Sequence, residues 1–340
     1  MSYRDIGTDD PRVRVRPGKR SRPRTKIRPD YSTARRGRVT SVDRGRYHVT
    51  MEDDATEVIA VKARELPRGS VVVGDMCAMV GDLSGRKDTL ARIAAVDPRS
   101  SVLRRTAEDG DASGTERIIV ANADQLCIVV ALAQPEPRFG LIDRCLVAAY
   151  DAGMAPVLLL TKADLADSSI VEQQYSDLDL RIVPSALPGD ATSAHTTDLS
   201  QIHDLLRGHV SVFVGHSGVG KSTLINALVP HAQRETGSVN EVTGNGRHTS
   251  TSAMAFELNS GGIVIDTPGV RSFGLAHVST ADLLRGFPDL QELAQDCPRG
   301  CPHTQGALDC AFDTVTDPRV QIRVASFRRL LNSIDKPSWA

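Results

Sequence analysis

The apolar run VSVFV (Val210–Val214) feeds straight into GHSGVGKS (Gly215–Ser222), and STLINALV follows at once. Strand, glycine-rich loop and helix in that order make a phosphate-binding loop of the form G-x-x-x-x-G-K-[ST]. Gly215, Gly218 and Gly220 let the backbone wrap a polyphosphate and turn its N–H groups inward. Lys221 is expected on the β- and γ-phosphates and Ser222 on a Mg2+ ion. His216, Ser217, Val219 and Thr223 are counted with them as nucleotide-binding positions. Such a loop needs a mostly parallel sheet with ligands at the strands' C-terminal ends, so the chain must contain an α/β domain.

The surrounding sequence has that rhythm. IIVANADQLCIVVAL ends in a buried strand, LIDRCLVAAYDAG has helical spacing, and APVLLLT and RIV read as further strands. APVLLLT delivers TKAD. Its Asp164 can accept two hydrogen bonds from a guanine ring, Lys162 can lay its stem along the base, and Thr161 opens the motif. RIV delivers PSA, where Ser185 sits beside an Ala186 amide suited to the guanine O6. Adenine leaves that carboxylate unpaired, so the pair of loops selects guanine. Both loops precede the phosphate loop, the reverse of the usual order. Joining a domain's termini and opening a loop elsewhere leaves the packed sheet unchanged, so the order reads as a circular permutation.

GGIVIDTPG, a last strand, places Asp266 where a second Mg2+-directed acid belongs and Gly269 where an amide can sense the γ-phosphate. Between the two motifs, GNGRHTSTSA is rich in hydroxyls; Thr249 or Thr251 is expected to complete the Mg2+ shell. In many GTPases a glutamine after the glycine of this motif orients the attacking water. Here that residue is Val270, so unassisted hydrolysis should be slow. His248, next to Thr249, is the candidate water-orienting group, and an RNA partner is the other source of assistance.

Outside the nucleotide domain, residues 35–106 read as an all-β, OB-type barrel of short β-branched strands. Residues 107–117 are polar and read as a linker, 118–284 as the nucleotide domain, and 285–340 as a small helical metal-binding domain. Residues 1–34 form a basic tail expected to be disordered: ten Lys and Arg residues lie within the first thirty, against Asp5, Asp9, Asp10 and Asp30. The net charge of −1 hides this asymmetry. No apolar run is long enough to span a bilayer, and the arginine-rich N-terminus has no signal-like core. A cytoplasmic protein without membrane contact is expected.

Near the C-terminus, CPRGCPHTQGALDC supplies Cys297, Cys301, His303 and Cys310 within 14 residues. Three thiolates and one imidazole make a closed, structural Zn2+ site rather than a catalytic one. The following helix carries Arg319, Arg323, Arg328 and Arg329. Beside a zinc module, a barrel and a basic tail, these are read as an RNA-contacting face.

On TKAD, PSA, GHSGVGKS, GRHTST, DTPGVRSFG and the cysteine cluster together, the chain resembles the ribosome small-subunit-dependent GTPase A family over about residues 35–335. Its spacing C-x3-C-x-H-x6-C differs from that family's usual C-x4-C-x-H-x5-C by one residue moved between gaps. The resemblance implies a multidomain GTPase with an OB-type barrel, a circularly permuted P-loop domain and a zinc domain. It also implies binding of GTP and GDP, action as a monomer on the 30S subunit and 16S rRNA late in assembly, and hydrolysis stimulated there. A GTP-regulated RNA-binding module acting on another RNA, with hydrolysis as a release timer, is the alternative. In both, the GTP-ordered loops are expected to move the attached zinc domain.

Overall fold

The run RYHVTM alternates exposed with less exposed positions along its length, and EVIAVK begins the same way. In the computed structural model, which describes residues 30–106, 116–186, 199–230, 253–267, 275 and 277–334, these are β2 (Arg46–Met51) and β3 (Glu57–Lys62). With β1 (Arg35–Asp43), β4 (Met76–Gly81) and β5 (Ala91–Val96) they follow the order β1-β2-β3-β5-β4. The first half of β1 closes the ring on β4, from Arg35↔Met79 to Arg38↔Met76. Alternation turns Val39, Tyr47, Val49, Val58, Cys77 and Ile93 into the barrel's core. A register shift between Val39 and Ser41 re-aims the second half of β1, and Ser41 pairs with Met254 of the next sheet.

Strands β6 (Val102–Thr106) and β7 (Glu116–Ala121) pair antiparallel, so the polar stretch expected as a linker joins the two arms of a hairpin. Six strands follow: β8 (Gln125–Ala131), β9 (Ala155–Thr161), β10 (Arg181–Pro184), β11 (Val210–Val214), β12 (Met254–Glu257) and β13 (Ile263–Asp266). Their order is β10-β9-β8-β11-β13-β12, parallel except for β12, which runs antiparallel to β13. β12 is absent from the reading of the sequence, which assigned no element between the polar loop ending at Ala253 and the strand GGIVIDTPG.

β8 is buried throughout, and apolar after Gln125, because both of its faces are covered. Leu126, Ile128 and Val130 pack into one core with α1 (Phe139–Ala152), while Cys127, Val129 and Ala131 pack into another with α3 (Ser200–Leu206) and α4 (Lys221–Leu228). A short α2 (Ser169–Gln174) lies between β9 and β10 in the chain. Among the described residues no helix is long and apolar enough to cross a membrane.

The C-terminal part comprises α5 (Thr280–Leu284), α6 (Pro288–Leu293) and α7 (Pro318–Ile334). It does not stand apart: Phe287, Val324, Phe327 and Leu330 belong to the same core as α1 and β8. Phe287 meets Tyr150 of α1 at 5.9 Å and Phe327 of α7 at 5.5 Å, both edge-on. Arg144 of α1 donates to the Ser333 carbonyl at 2.8 Å.

These contacts correct the reading of the α7 arginines. Arg323 forks onto both Asp289 oxygens (2.5 and 2.7 Å), donates to the Asp177 carbonyl and lies 5.2 Å over the Phe287 ring. Arg329 lies 5.2 Å over Tyr175 and 3.4 Å from Asp143, a buried carboxylate that also accepts from the Tyr175 hydroxyl. Arg328 turns to the cysteine loop. Three of the four guanidinium groups therefore bolt the helix down, and Arg319 alone of the four has an exposed side chain. A zinc domain swinging freely on this helix would have to break that core.

Candidate nucleotide site and metal cluster

Parallel strands bring their C-terminal ends to one edge, and the motifs collect there. The phosphate loop leaves β11 and ends at Lys221, the first residue of α4, so the loop's amides and the helix N-terminus face the same space. Gly215 has no room for a side chain: a Cβ there would stand 2.7 Å from the Val129 carbonyl oxygen of the neighbouring strand. Gly218 and Gly220 take φ values of 83° and 86°, where a glycine is unstrained.

TKAD lies directly against this loop. Thr161, at the end of β9 and only 3% exposed, donates its hydroxyl to the Val219 carbonyl at 2.5 Å. The Lys162 ammonium donates to the Gly218 carbonyl at 3.1 Å and to the Gln134 carbonyl in the loop after β8. Both residues thus grip the phosphate loop through its carbonyls. Asp164 is exposed, with its carboxylate in solvent. PSA is tied to the same place: the Ala163 amide donates to the Ser185 carbonyl at 3.1 Å, and the Ser185 amide to the Leu160 carbonyl at 2.6 Å. Ser185 and Ala186 are buried.

Asp266 ends β13, beside Phe213 of β11 in register, and its carboxylate pairs with the Lys221 ammonium. Thr267, buried, donates to the Phe213 carbonyl at 2.7 Å and fixes the strand end on which Asp266 sits. Ser222 and Thr223 are exposed at the start of α4, while His216 and Ser217 lie on the loop itself. Asp266 and Ser222 offer hard oxygen donors at adjoining element ends, the donor type Mg2+ prefers. His248, Thr249, Thr251, Gly269 and Val270 lie outside the described residues, as does the basic tail up to residue 29. Gln134 and Thr267 are the positions that motif reading missed. Each acts by a single bond to another strand or loop, which leaves no pattern in the chain.

The four expected metal ligands converge, their donor atoms all within 4.8 Å of one another. Cys297 Sγ stands 3.4 Å from His303 Nδ1 and 4.0 Å from Cys310 Sγ, and Cys310 Sγ stands 3.7 Å from His303 Nδ1. A tetrahedron with Zn–S of about 2.3 Å and Zn–N of about 2.0 Å has edges of about 3.8 and 3.5 Å, so the spacing suits that ion. The displaced residue in the cysteine spacing has not scattered the donors. His303 is held below its ordinary pKa, first by burial and then by the Arg328 charge, so its imidazole is neutral and able to donate a lone pair. Burial pushes the Cys310 thiol up to about 11; a cation is what would draw off its proton. The Ala311 amide donates to Cys297 Sγ at 3.3 Å.

The sequence signature described as RsgA GTPase matches residues 96–276. A protein of Ectopseudomonas mendocina is 43% identical over 253 residues, spanning 73% of this chain and 71% of its own. One of Pseudomonas aeruginosa PAO1 is 39% identical over 249 residues, spanning 73% and 72%. Both are named small ribosomal subunit biogenesis GTPase RsgA. The fold is similar to that of YjeQ from Thermotoga maritima, with a TM-score of 0.60 at 24% identity over 87% of this chain and 98% of that one. It is also similar to YloQ, described as a circularly permuted GTPase, with a TM-score of 0.61 at 22% identity over 89% and 96%. TKAD bonded to a phosphate loop that follows it in the chain, together with this kinship, makes the protein a member of the RsgA GTPase family and a GTP-hydrolysing enzyme.

Proposed function

We propose that the protein is a cytoplasmic, monomeric GTPase that acts on the small ribosomal subunit during its biogenesis. It binds 16S rRNA late in 30S assembly and hydrolyses GTP faster there. One observation carries this reading: relatives 39–43% identical over 249–253 residues bear the name of a small-subunit biogenesis GTPase. We assign rRNA contact to the barrel (35–106), the basic segment (1–34) and the cysteine-bearing module (285–340), with 118–284 as the GTPase domain. Arg323, Arg328 and Arg329 are left out of that contact, since their half-buried guanidinium groups already face Asp289, Asp313 and Asp143.

In the nucleotide site, Asp164 accepts hydrogen bonds from the guanine N–H and exocyclic amine, Lys162 covers the base plane, and the Ala186 amide meets O6. The amides of Gly215–Ser222 hold the phosphates, with Thr223 behind them. Lys221 exchanges Asp266 for the β- and γ-phosphate oxygens. Mg2+ would be held by Ser222 and Asp266, with Thr249 or Thr251 completing its shell, and supplies positive charge to the oxygens that gain negative charge during hydrolysis. The Gly269 amide faces the γ-phosphate. Val270 cannot orient water, so that task falls to His248 or to the rRNA. Zn2+ would be held by Cys297, Cys301, His303 and Cys310 in a structural role.

Co-sedimentation tests the ribosomal half of the proposal. With a non-hydrolysable GTP analogue the protein should pellet with 30S subunits and not with 50S subunits. With GDP it should remain largely in the supernatant. Equal binding to both subunits, or to neither, would overturn the reading and favour a different RNA.

A further inference from the structure

His303 is the one ligand of the cysteine cluster held in a left-handed backbone conformation, with φ of 55°. Non-glycine residues adopt that region uncommonly, although histidine does so more often than most. A contact from outside the loop holds it here. Arg328, six residues before the end of α7, sends its guanidinium across to do so. Its Nε donates to the His303 carbonyl at 3.0 Å, and its Nη2 donates to the next carbonyl, Thr304, at 3.3 Å. The same Nη2 contacts Asp313 at 2.8 Å and lies 4.0 Å from Cys310 Sγ. The His303 ring, meanwhile, stacks on Phe312 at 4.6 Å with 20° between planes, and Phe312 lies edge-on to Phe327 of α7.

We propose that Arg328 is a positioning residue for the metal centre: its fork on two successive carbonyls holds the His303 backbone in the left-handed turn that aims Nδ1 at the three thiols. This rests on the reading of the cluster as a Zn2+ site. Three of the ligands are cysteines, whose short side chains place sulfur close to the backbone. The imidazole reaches further, so a small rotation of its backbone moves Nδ1 out of range. Arg328 therefore governs the one ligand whose placement depends on long-range packing. It also sets a positive charge beside Cys310, offsetting the charge of three thiolates on one divalent ion.

The two roles are separable. A lysine keeps the charge and the stem, but a compact ammonium cannot fork onto two carbonyls and a carboxylate in a fixed plane. Glutamine removes the charge. Loss of an outer partner of a metal ligand typically weakens metal binding by about 10- to 100-fold.

The experiment is Zn2+ and Co2+ titration of the full chain as wild type, Arg328→Lys and Arg328→Gln, in competition with a chelator, with the ligand-field spectrum of the Co2+ form recorded for each. Circular dichroism and a thermal melt of each metal-loaded protein establish that the variant is folded. The wild type should bind one equivalent and show the spectrum of a tetrahedral site with three sulfurs and one nitrogen. Both variants should bind Zn2+ about 10- to 100-fold more weakly, with a changed Co2+ spectrum as the nitrogen ligand is lost. Wild type that binds no metal would remove the zinc reading itself. Wild type that binds, with both variants within twofold of it and spectrally unchanged, would overturn the positioning role. Full rescue by lysine would also overturn it, because charge alone would then suffice.

Discussion

Replacing Thr161 by valine removes the hydroxyl that ties TKAD to the phosphate loop. The shape is nearly conserved, but the hydroxyl that donates to the Val219 carbonyl at 2.5 Å becomes a methyl group. Two costs follow. The carbonyl is left unpaired against a residue only 3% exposed, which costs about 1–3 kcal/mol. A methyl carbon also needs about 3.3 Å from a carbonyl oxygen, so the loop must retreat by roughly 0.8 Å. Val219 lies between the two glycines that shape the cradle, so the displacement falls on its amides. The expected result is 5- to 150-fold weaker binding of both GTP and GDP, the range that about 1–3 kcal/mol implies. Equilibrium titration with a fluorescent guanine nucleotide measures it, and Thr161→Ser, which retains the hydroxyl, should stay close to wild type. Binding by Thr161→Val within twofold of wild type would refute the reasoning. A loss shared equally by the serine variant would do the same, because the hydroxyl would then not be its cause.

Three further outcomes are expected. Arg323→Ala should lower the stability of the whole chain by about 2–4 kcal/mol in urea unfolding, since it leaves the Asp177 carbonyl and Asp289 without their partner; unchanged stability with weaker RNA binding would return this residue to the surface. Asp282 caps α5, and hydrogen bonds from the Ser279 side chain and then its backbone hold its carboxyl below the ordinary range. A depressed folded pKa gives stability that is complete above the unfolded value of about 3.9 and is lost as pH falls below it, so the urea midpoint should drop on acidification and drop less in Asp282→Asn. His248→Ala should abolish the ribosome-stimulated part of GTP turnover while leaving nucleotide affinity near wild type; stimulated turnover that survives would move the water-orienting role to the rRNA.

Chemistry written in consecutive residues was legible in the chain. GHSGVGKS and TKAD each follow a largely buried strand and PSA closes the short β10, and a parallel sheet must carry such strand ends to one edge. The cysteine cluster was legible for the same reason, its four ligands falling within 14 residues. What escaped was everything decided by distant partners. β12 is four residues of intermediate or exposed burial, without alternation, and it becomes a strand only by pairing with β13 and Ser41 of the barrel. The α7 arginines sit at spacings that look like a solvated basic face. Their partners Asp289, Asp177 and Asp143 lie on or beside α6, α2 and α1, the furthest 186 positions away in the chain, from 329 to 143. Lys162 shows both cases at once: its place in TKAD was readable, but its bonds to Gly218 and Gln134 depend on how β8, β9 and β11 lie side by side.

The most direct test is nucleotide turnover by the purified protein, with and without 30S subunits, with GTP and ATP in parallel. The account predicts slow GTP hydrolysis alone, because Val270 stands where an orienting glutamine would serve. It predicts a rise of at least roughly tenfold on adding 30S subunits, as partner-supplied groups commonly give far larger accelerations, and no ATP turnover in either case. Turnover of ATP at a comparable rate would contradict the guanine-reading loops. GTP turnover indifferent to the 30S subunit would leave the GTPase standing and remove the ribosome as its activator.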